Sequence, residues 1–390
     1  MNRRELFFKH LGQTSTAPLA LEITRAEGCW LYGDAGKKWL DAIGGISVCN
    51  TGHRHPEVVH AIEEQAGRYL HLLVYGELVQ SPQVDYATAL IEKLPPSLDS
   101  VFFTNSGTEA TEGAMKLAKR ITGRMSVAAF EHSYHGSTQG ALSIMGDEYW
   151  RNAFRPLLPG VAHLRYNRDD DLEQITEKTA AVFAETVQAE NGVIKPRPAW
   201  MKLVRKRCDD TGALLILDEI QAGFGRTGKL WGFEEYEIVP DILMLGKALG
   251  GGLPLGAFIS SKKRMDAFTE NPVLGNISTF GGHPLSCAAG LASFRVLFKE
   301  SLVTQVAEKE KRFRQALAHP HIKDVRSAGL LIAVEFESAE TCKRIVDKCI
   351  RDGVLTDWFL FAPHCLRIAP PLTVSTEEID RICEVVIRHL

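Results

Sequence analysis

Runs of four or five apolar residues, too short for helices, recur between segments of helical spacing from residue 101 to residue 260. Val101–Thr104, Ser126–Phe130, Ala180–Ala184, Ala213–Leu217, Asp241–Leu245 and Gly256–Ser260 read as strands. Between them, Glu109–Arg120 places Ala110, Ala114, Leu117 and Ala118 on one helical face, and Trp200–Cys208 is helix-like. A strand without polar alternation is buried on both faces, and strands separated by helices pair in parallel. The expected fold is α/β with a mainly parallel sheet. Such sheets hold ligands at the carboxyl ends of their strands, so the residues that follow each apolar run are the ones to inspect.

Four of these positions carry chemistry. Asn105-Ser106-Gly107-Thr108-Glu109-Ala110 lies between a strand and a helix. It is either a plain N-cap or an anion cradle of backbone N–H groups and hydroxyls. Asp218 ends the run Leu214–Leu217; a carboxylate there either reaches water or needs a cation. Lys247 follows Met244-Leu245-Gly246 and enters the turn Gly250-Gly251-Gly252. It is a solvated turn lysine or a desolvated nucleophile whose amine loses its proton readily. Tyr134 follows the strand Ser126–Phe130 within Glu131–Gly136, where an aromatic can stack on a planar ring or simply pack. Taken together, an anion cradle, an aromatic platform, a buried acid and a lysine describe a site for a phosphorylated pyridine aldehyde, in which the acid keeps the ring nitrogen protonated and the lysine bonds the aldehyde.

Beyond residue 290 the pattern changes. Leu302–Leu317 is an amphipathic helix, Leu330–Phe336 a strand, Ala339–Asp352 a helix, Leu366–Ala369 a short strand and Thr376–His389 a closing helix with a capping signal at Ser375–Glu378. The expected division is an N-terminal segment, 1–48, that packs with the tail or at a subunit interface; a large domain, 49–290; and a smaller α+β domain, 291–390. The N-terminal segment carries short strands at Leu21–Ala26, Cys29–Tyr32 and Lys38–Asp41. A net charge of −3 gives no basic field for nucleic acid or an anionic membrane, so a phosphate needs a local site. Neither a signal peptide nor a membrane-spanning helix is expected. The eight cysteines form no C-x-x-C pair and suit reduced, buried thiols of a cytoplasmic protein.

The chain resembles the class III aminotransferases, fold type I enzymes that use pyridoxal 5'-phosphate, and within them the acetylornithine/ornithine branch. The resemblance runs through Trp30–Asp34, Gly44–Ile46, Gly52–Pro56, Asn105–Ala110, Tyr134–Gly136, Asp218–Gly228, Gly246–Ala248, Ser278–Pro284 and Leu366–Pro371. It implies a large domain with a mainly parallel seven-stranded sheet and a smaller α+β domain. It also implies roles. Lys247 is the Schiff-base lysine; Asp218 pairs with the pyridine nitrogen; Gln221 bonds the ring hydroxyl oxygen. Gly107 and Thr108, with Ser106 beside them, hold the phosphate; Tyr134 stacks on the ring, and Glu185 adjoins the cofactor. Thr279 reaches the phosphate in the neighbouring subunit, which makes the enzyme a homodimer with shared active sites. Arg367 grips a substrate carboxylate, and Glu190 pairs with it when the substrate amine is distal. The implied reaction is ping-pong transfer from an acetylornithine/ornithine-like or other ω-amino donor to a 2-oxo acid, 2-oxoglutarate by resemblance.

Two departures bear on the substrate. Ser137 stands where the branch usually has an arginine that meets a substrate carboxylate, which admits pyruvate as an acceptor. Glu185–Gly192 also differs from the family's glutamate motif. Other readings are an aminomutase, decarboxylase or epimerase on the same scaffold, a binding module without catalysis, or a metal-dependent hydrolase. The last would use His53 and His55 with His132, His135 and Asp218, although these histidines read better as turn and supporting groups.

Overall fold

The computed structural model describes residues 1–390. Its strands, in chain order, are β1 (Ile23–Glu27), β2 (Trp30–Gly33), β3 (Lys38–Asp41), β4 (Ser100–Thr104), β5 (Ser126–Phe130), β6 (Val161–Leu164), β7 (Thr179–Glu185) and β8 (Leu214–Asp218). They continue with β9 (Ile242–Leu245), β10 (Gly256–Ser260), β11 (Asp324–Ala328), β12 (Leu331–Glu335), β13 (Val354–Leu355), β14 (Asp357–Phe359) and β15 (Ala362–Ile368). The central sheet has seven strands in the order β4-β10-β9-β8-β7-β5-β6. From β9 to β6 every pair is parallel, and β10 alone runs against both of its neighbours. Every residue of β7 and β8 is buried, which is why these strands read as unbroken apolar runs.

Helices cover the sheet. Those used below are α1 (Pro56–Ala66), α2 (Ser81–Ile91), α3 (Gly107–Thr122), α4 (Pro198–Thr211), α5 (Pro284–Lys299), α6 (Leu302–Ala316), α7 (Ala339–Arg351) and α8 (Thr376–Arg388). α3 leaves β4 directly, so its N-terminus lies at the carboxyl ends of the parallel strands. α4 buries Trp200, Met201, Val204 and Cys208. α5 packs on α1 and α2 and runs through position 290, so the expected boundary there falls inside a helix. We propose the division where α5 gives way to α6.

The tail is richer in strands than its sequence pattern indicates. β11, β12, β15 and β14 form a four-stranded antiparallel sheet backed by α7. β11 and β14 escape detection because Asp324-Val325-Arg326-Ser327-Ala328 carries too few apolar residues to mark a period and Asp357-Trp358-Phe359 is too short to show one. β13 leaves this region and pairs in parallel with β3, so β1, β2, β3 and β13 form a third sheet shared by the two ends of the chain. α8 closes the fold with a capping box at Ser375 and Glu378. No helix is long and apolar enough to cross a membrane.

Candidate active site

The carboxyl ends of β5, β7, β8 and β9 and the N-terminus of α3 converge on one cavity of about 410 Å³. Asp218, Gln221, Lys247, Glu185, Glu190 and Tyr134 line it, together with Gly107, Thr108 and Ser137. The convergence follows from topology: parallel strands end on the same edge of the sheet. Glu185 and Asp218 end adjacent strands and lie directly opposite each other in register.

Asp218 is buried. Its Oδ1 accepts from the Ile220 amide at 2.9 Å, and its Oδ2 lies 2.7 Å from His135 Nδ1. Lys247 sits in a left-handed backbone turn, φ 48°, that ends β9 and swings the side chain into the cavity. Its Nζ donates to Gln221 Oε1 at 3.2 Å. Burial pulls the Lys247 amine below the ordinary lysine range, while the carboxylates of Glu190 and Asp218 oppose that shift. The Glu185 carboxyl accepts from the Tyr134 amide at 3.2 Å, and burial beside Asp218 holds it well above the usual glutamate range.

At the head of α3, Ser106 Oγ accepts from the Glu109 amide, so the Ser106 side chain caps the helix and does not line the cavity. Gly107 and Thr108 do face it. The Thr108 hydroxyl is 2.7 Å from that of Thr138, which donates to Glu112 Oε1 at 2.5 Å. Gly136 takes φ 122°, and a Cβ there would come within 2.3 Å of Thr108 Oγ1. Only glycine permits this close passage of the Tyr134–Ser137 loop across α3. At the outer side, Tyr134 OH and Ser137 Oγ are 3.1 Å apart.

Arg367 lies behind Glu190, outside the lining of the cavity. Its Nη1 and Nη2 donate to Glu190 Oε1 and Oε2 at 2.9 and 2.8 Å, a buried bidentate pair. Burial pushes the Glu190 carboxyl up, but the Arg367 guanidinium outweighs it and leaves the group below the ordinary glutamate range. Thr279 is not at the cavity of its own chain; it is exposed on the segment that also carries Ile277 and Phe280. Two groups beside the predicted residues escaped sequence reasoning: His135 as the partner of Asp218, and Asp357, whose Oδ1 is 3.1 Å from Arg367 Nε. The motif Tyr134-His135-Gly136 was visible, but nothing in it reveals the pairing.

The metal-centre alternative fails on geometry. His53 bonds Asp41, His55 bonds Glu300, His132 lies near Asp147 and His135 bonds Asp218. The one cluster of ligand-type atoms is Glu335, His364 and Cys365, on the small sheet, and Arg326 and Lys323 already engage its carboxylate.

The donor set fits a phosphorylated pyridine aldehyde. The cavity offers a buried acid, a desolvated amine, a helix N-terminus and an aromatic, and the Gln221 Nε2 group is buried there without a partner. Relatives carry the same architecture. The ornithine aminotransferase of Toxoplasma gondii ME49 superposes with a TM-score of 0.92 at 30% identity, covering 100% of this chain and 95% of that one. An (S)-enantioselective ω-transaminase from Thermomicrobium roseum superposes with a TM-score of 0.91 at 29% identity, covering 100% and 98%. The acetylornithine aminotransferase of Methanopyrus kandleri is 38% identical over 387 residues, 98% of this chain and 97% of that protein. The sequence profile of the family Aminotransferase class-III matches residues 11–390. Fold, site and sequence agree over nearly the whole length: the chain belongs to the class III aminotransferases, which depend on pyridoxal 5'-phosphate.

Proposed function

We propose that this enzyme transfers the terminal amino group of an acetylornithine/ornithine-like or other ω-amino donor to 2-oxoglutarate in two half-reactions. The observation that carries this reading is the bidentate Glu190–Arg367 pair beside Lys247. A donor that reacts at a distal amine has no carboxylate on the reacting carbon and leaves the pair closed. A 2-oxo acid brings such a carboxylate, which takes the place of Glu190 on Arg367.

Bound pyridoxal phosphate supplies an electron sink for the carbon that bears the amino group. The chain's own residues do the rest. Asp218 would hold the proton on the pyridine nitrogen, with His135 fixing the carboxylate from behind. The amides of Gly107 and Thr108, at the positive end of α3, would hold the phosphate. Tyr134 would cover the ring, and Gln221 would bond its hydroxyl oxygen. Lys247, whose amine burial pulls below the ordinary lysine range, would anchor the aldehyde carbon and then move a proton to and from the substrate carbon. Glu185, which accepts from the Tyr134 amide, keeps the loop that carries Tyr134 in place.

We further propose a homodimer with shared sites, acting on small molecules. Leu72, Leu73, Val273, Leu274, Ile277 and Phe280 are exposed. The Tyr75 amide donates to Ser278 O, so the two segments that bear these residues form one apolar face. A second copy covering this face would bring its Thr279 to the neighbouring site.

The test is a donor panel read by the colour change of the half-reaction. Acetylornithine, ornithine and 4-aminobutyrate are offered to the loaded enzyme, and 2-oxoglutarate or pyruvate is used to restore the starting spectrum. Bleaching by an ω-amine and recovery with 2-oxoglutarate support the reading. Loss of carbon dioxide, or bleaching by none of these donors, refutes it.

A further inference from the structure

Arg367 has two carboxylates, and they are held in different ways. Glu190 comes from a turn after β7, closed by the Gln188–Ile194 bridge. Asp357 belongs to β14 and lies directly opposite Arg367 of β15 in the antiparallel register. Residues paired in this way project from the same face of a sheet, so backbone pairing fixes Asp357 beside the arginine. Its Oδ1 is 3.1 Å from Arg367 Nε, an ion-pair contact, and neither of these two buried atoms has a hydrogen-bond partner. The same short strand supplies the rest of the cradle. Trp358 O accepts from Nη2 at 3.0 Å, and the guanidinium lies 4.4 Å from the centre of the Phe359 ring. Glu190 therefore occupies the Nη1/Nη2 edge that faces the cavity, while three consecutive residues of β14 hold the other sides.

We propose that Asp357 is a positioning residue: it keeps the Arg367 guanidinium paired and aimed at the cavity while Glu190 yields to a substrate carboxylate. This rests on the reading of Arg367 as the group that binds that carboxylate. The physical need is plain. Arg367 is almost wholly buried. A buried cation stripped of its only counter-ion is costly, so an arginine that exchanges one carboxylate for another needs a second that stays. Asp357 is that second carboxylate, and its hold on the Nε edge leaves the Nη pair free to form the same fork with a ligand.

The experiment compares steady-state kinetics of the loaded enzyme as Glu190→Gln, Glu190→Gln/Asp357→Asn and Arg367→Ala. Glu190→Gln removes the competing carboxylate, so the second substitution reports on orientation alone. The double variant should raise KM for 2-oxoglutarate about tenfold over Glu190→Gln, the low end of what a close charge pair contributes. Its kcat should match that of Glu190→Gln, as should its KM for a simple ω-amine, while its melting temperature should fall, because the buried guanidinium then has no carboxylate beside it. Equal KM values for 2-oxoglutarate in the two variants would overturn the role of Asp357. A parallel rise in both substrates' KM values would mark Asp357 as merely structural and also overturn it. Arg367→Ala reports separately on the underlying reading: an unchanged 2-oxoglutarate KM there rejects Arg367 as the carboxylate site, and the proposal falls with it. If Asp357→Asn prevents folding, Asp357→Ser carries the same comparison.

Discussion

His135 Nδ1 lies 2.7 Å from Asp218 Oδ2, and the far ring nitrogen of His135 is buried with no partner. A carboxylate only accepts, so the proton of this contact sits on Nδ1. The histidine thus orients the acid from one side, and the cavity takes the other. Asp218→Asn should cut turnover by about a hundredfold or more, the scale of losing an oriented charge at a reacting centre, with a much smaller loss of cofactor affinity. His135→Phe should cost roughly tenfold in turnover, as the loss of an orienting partner does elsewhere. Turnover and pyridoxal phosphate titration of both variants check this; a His135→Phe enzyme as impaired as Asp218→Asn would contradict the division of labour.

Lys247 Nζ has one hydrogen-bond partner, Gln221, and the carboxyls of Glu185, Glu190 and Asp218 share the cavity with it. Lys247→Ala should still bind pyridoxal phosphate, since the head of α3 and Asp218 are untouched. The absorbance band of a lysine-bound cofactor should vanish and turnover with it. Measurable turnover in this variant, at anything near the parent rate, would remove Lys247 from its proposed role.

Ser137 lines the cavity, and its hydroxyl meets that of Tyr134. Lys247 is the only lysine or arginine among the lining residues, and Arg367 is engaged behind Glu190. A five-carbon dicarboxylate therefore finds one arginine for two carboxylates within this chain. Ser137→Arg should lower KM for 2-oxoglutarate roughly tenfold, the worth of one charge-assisted hydrogen bond, and leave KM for pyruvate nearly unchanged. Equal shifts for both acceptors would mean that position 137 does not face the distal carboxylate.

The catalytic edge of the sheet was legible because burial on both faces leaves a strong mark. Runs such as Leu214–Leu217 can be little else than buried strands, and a charged residue at their ends stands out. Asp218 and Lys247 lie at such ends. Pairings between distant segments leave no such mark. Glu190 and Arg367 are 177 positions apart, and their association was available through resemblance to a family. Asp357 was invisible because it depends on register within the small sheet, and β14 is only three residues long. Likewise β6, with His163 in its middle and an edge position in the sheet, offers a weak apolar signal.

Ile277 and Leu73 belong to the apolar face that is proposed to be covered by a second copy. Placing charge there leaves the fold of one chain intact and opposes association. Leu73→Asp/Ile277→Asp should shift the enzyme toward monomer in sedimentation. It should also lose pyridoxal phosphate on dilution, because each site would lack the other subunit's Thr279. A monomeric variant with undiminished cofactor affinity would refute the sharing of sites.

The loop that follows β3 depends on Asp41. Asp41 Oδ1 accepts from the amides of Ile43 and Gly44, and Oδ2 lies 2.7 Å from His53 Nε2. Burial disfavours the charged His53 ring, but Asp41 and Cys49 beside it together outweigh that effect and lift the imidazole to about 10. An unfolded histidine titrates near 6.5. A group whose folded value is higher stabilises the native state fully below the unfolded value, and this contribution is lost as pH rises toward the folded value. His53→Gln should therefore lower the melting temperature most at about pH 6, and the gap to the parent should narrow steadily and close near pH 10. Melting curves of both proteins across that range provide the check. A gap that stays constant with pH would assign the effect of His53 to packing, with no part played by its charge.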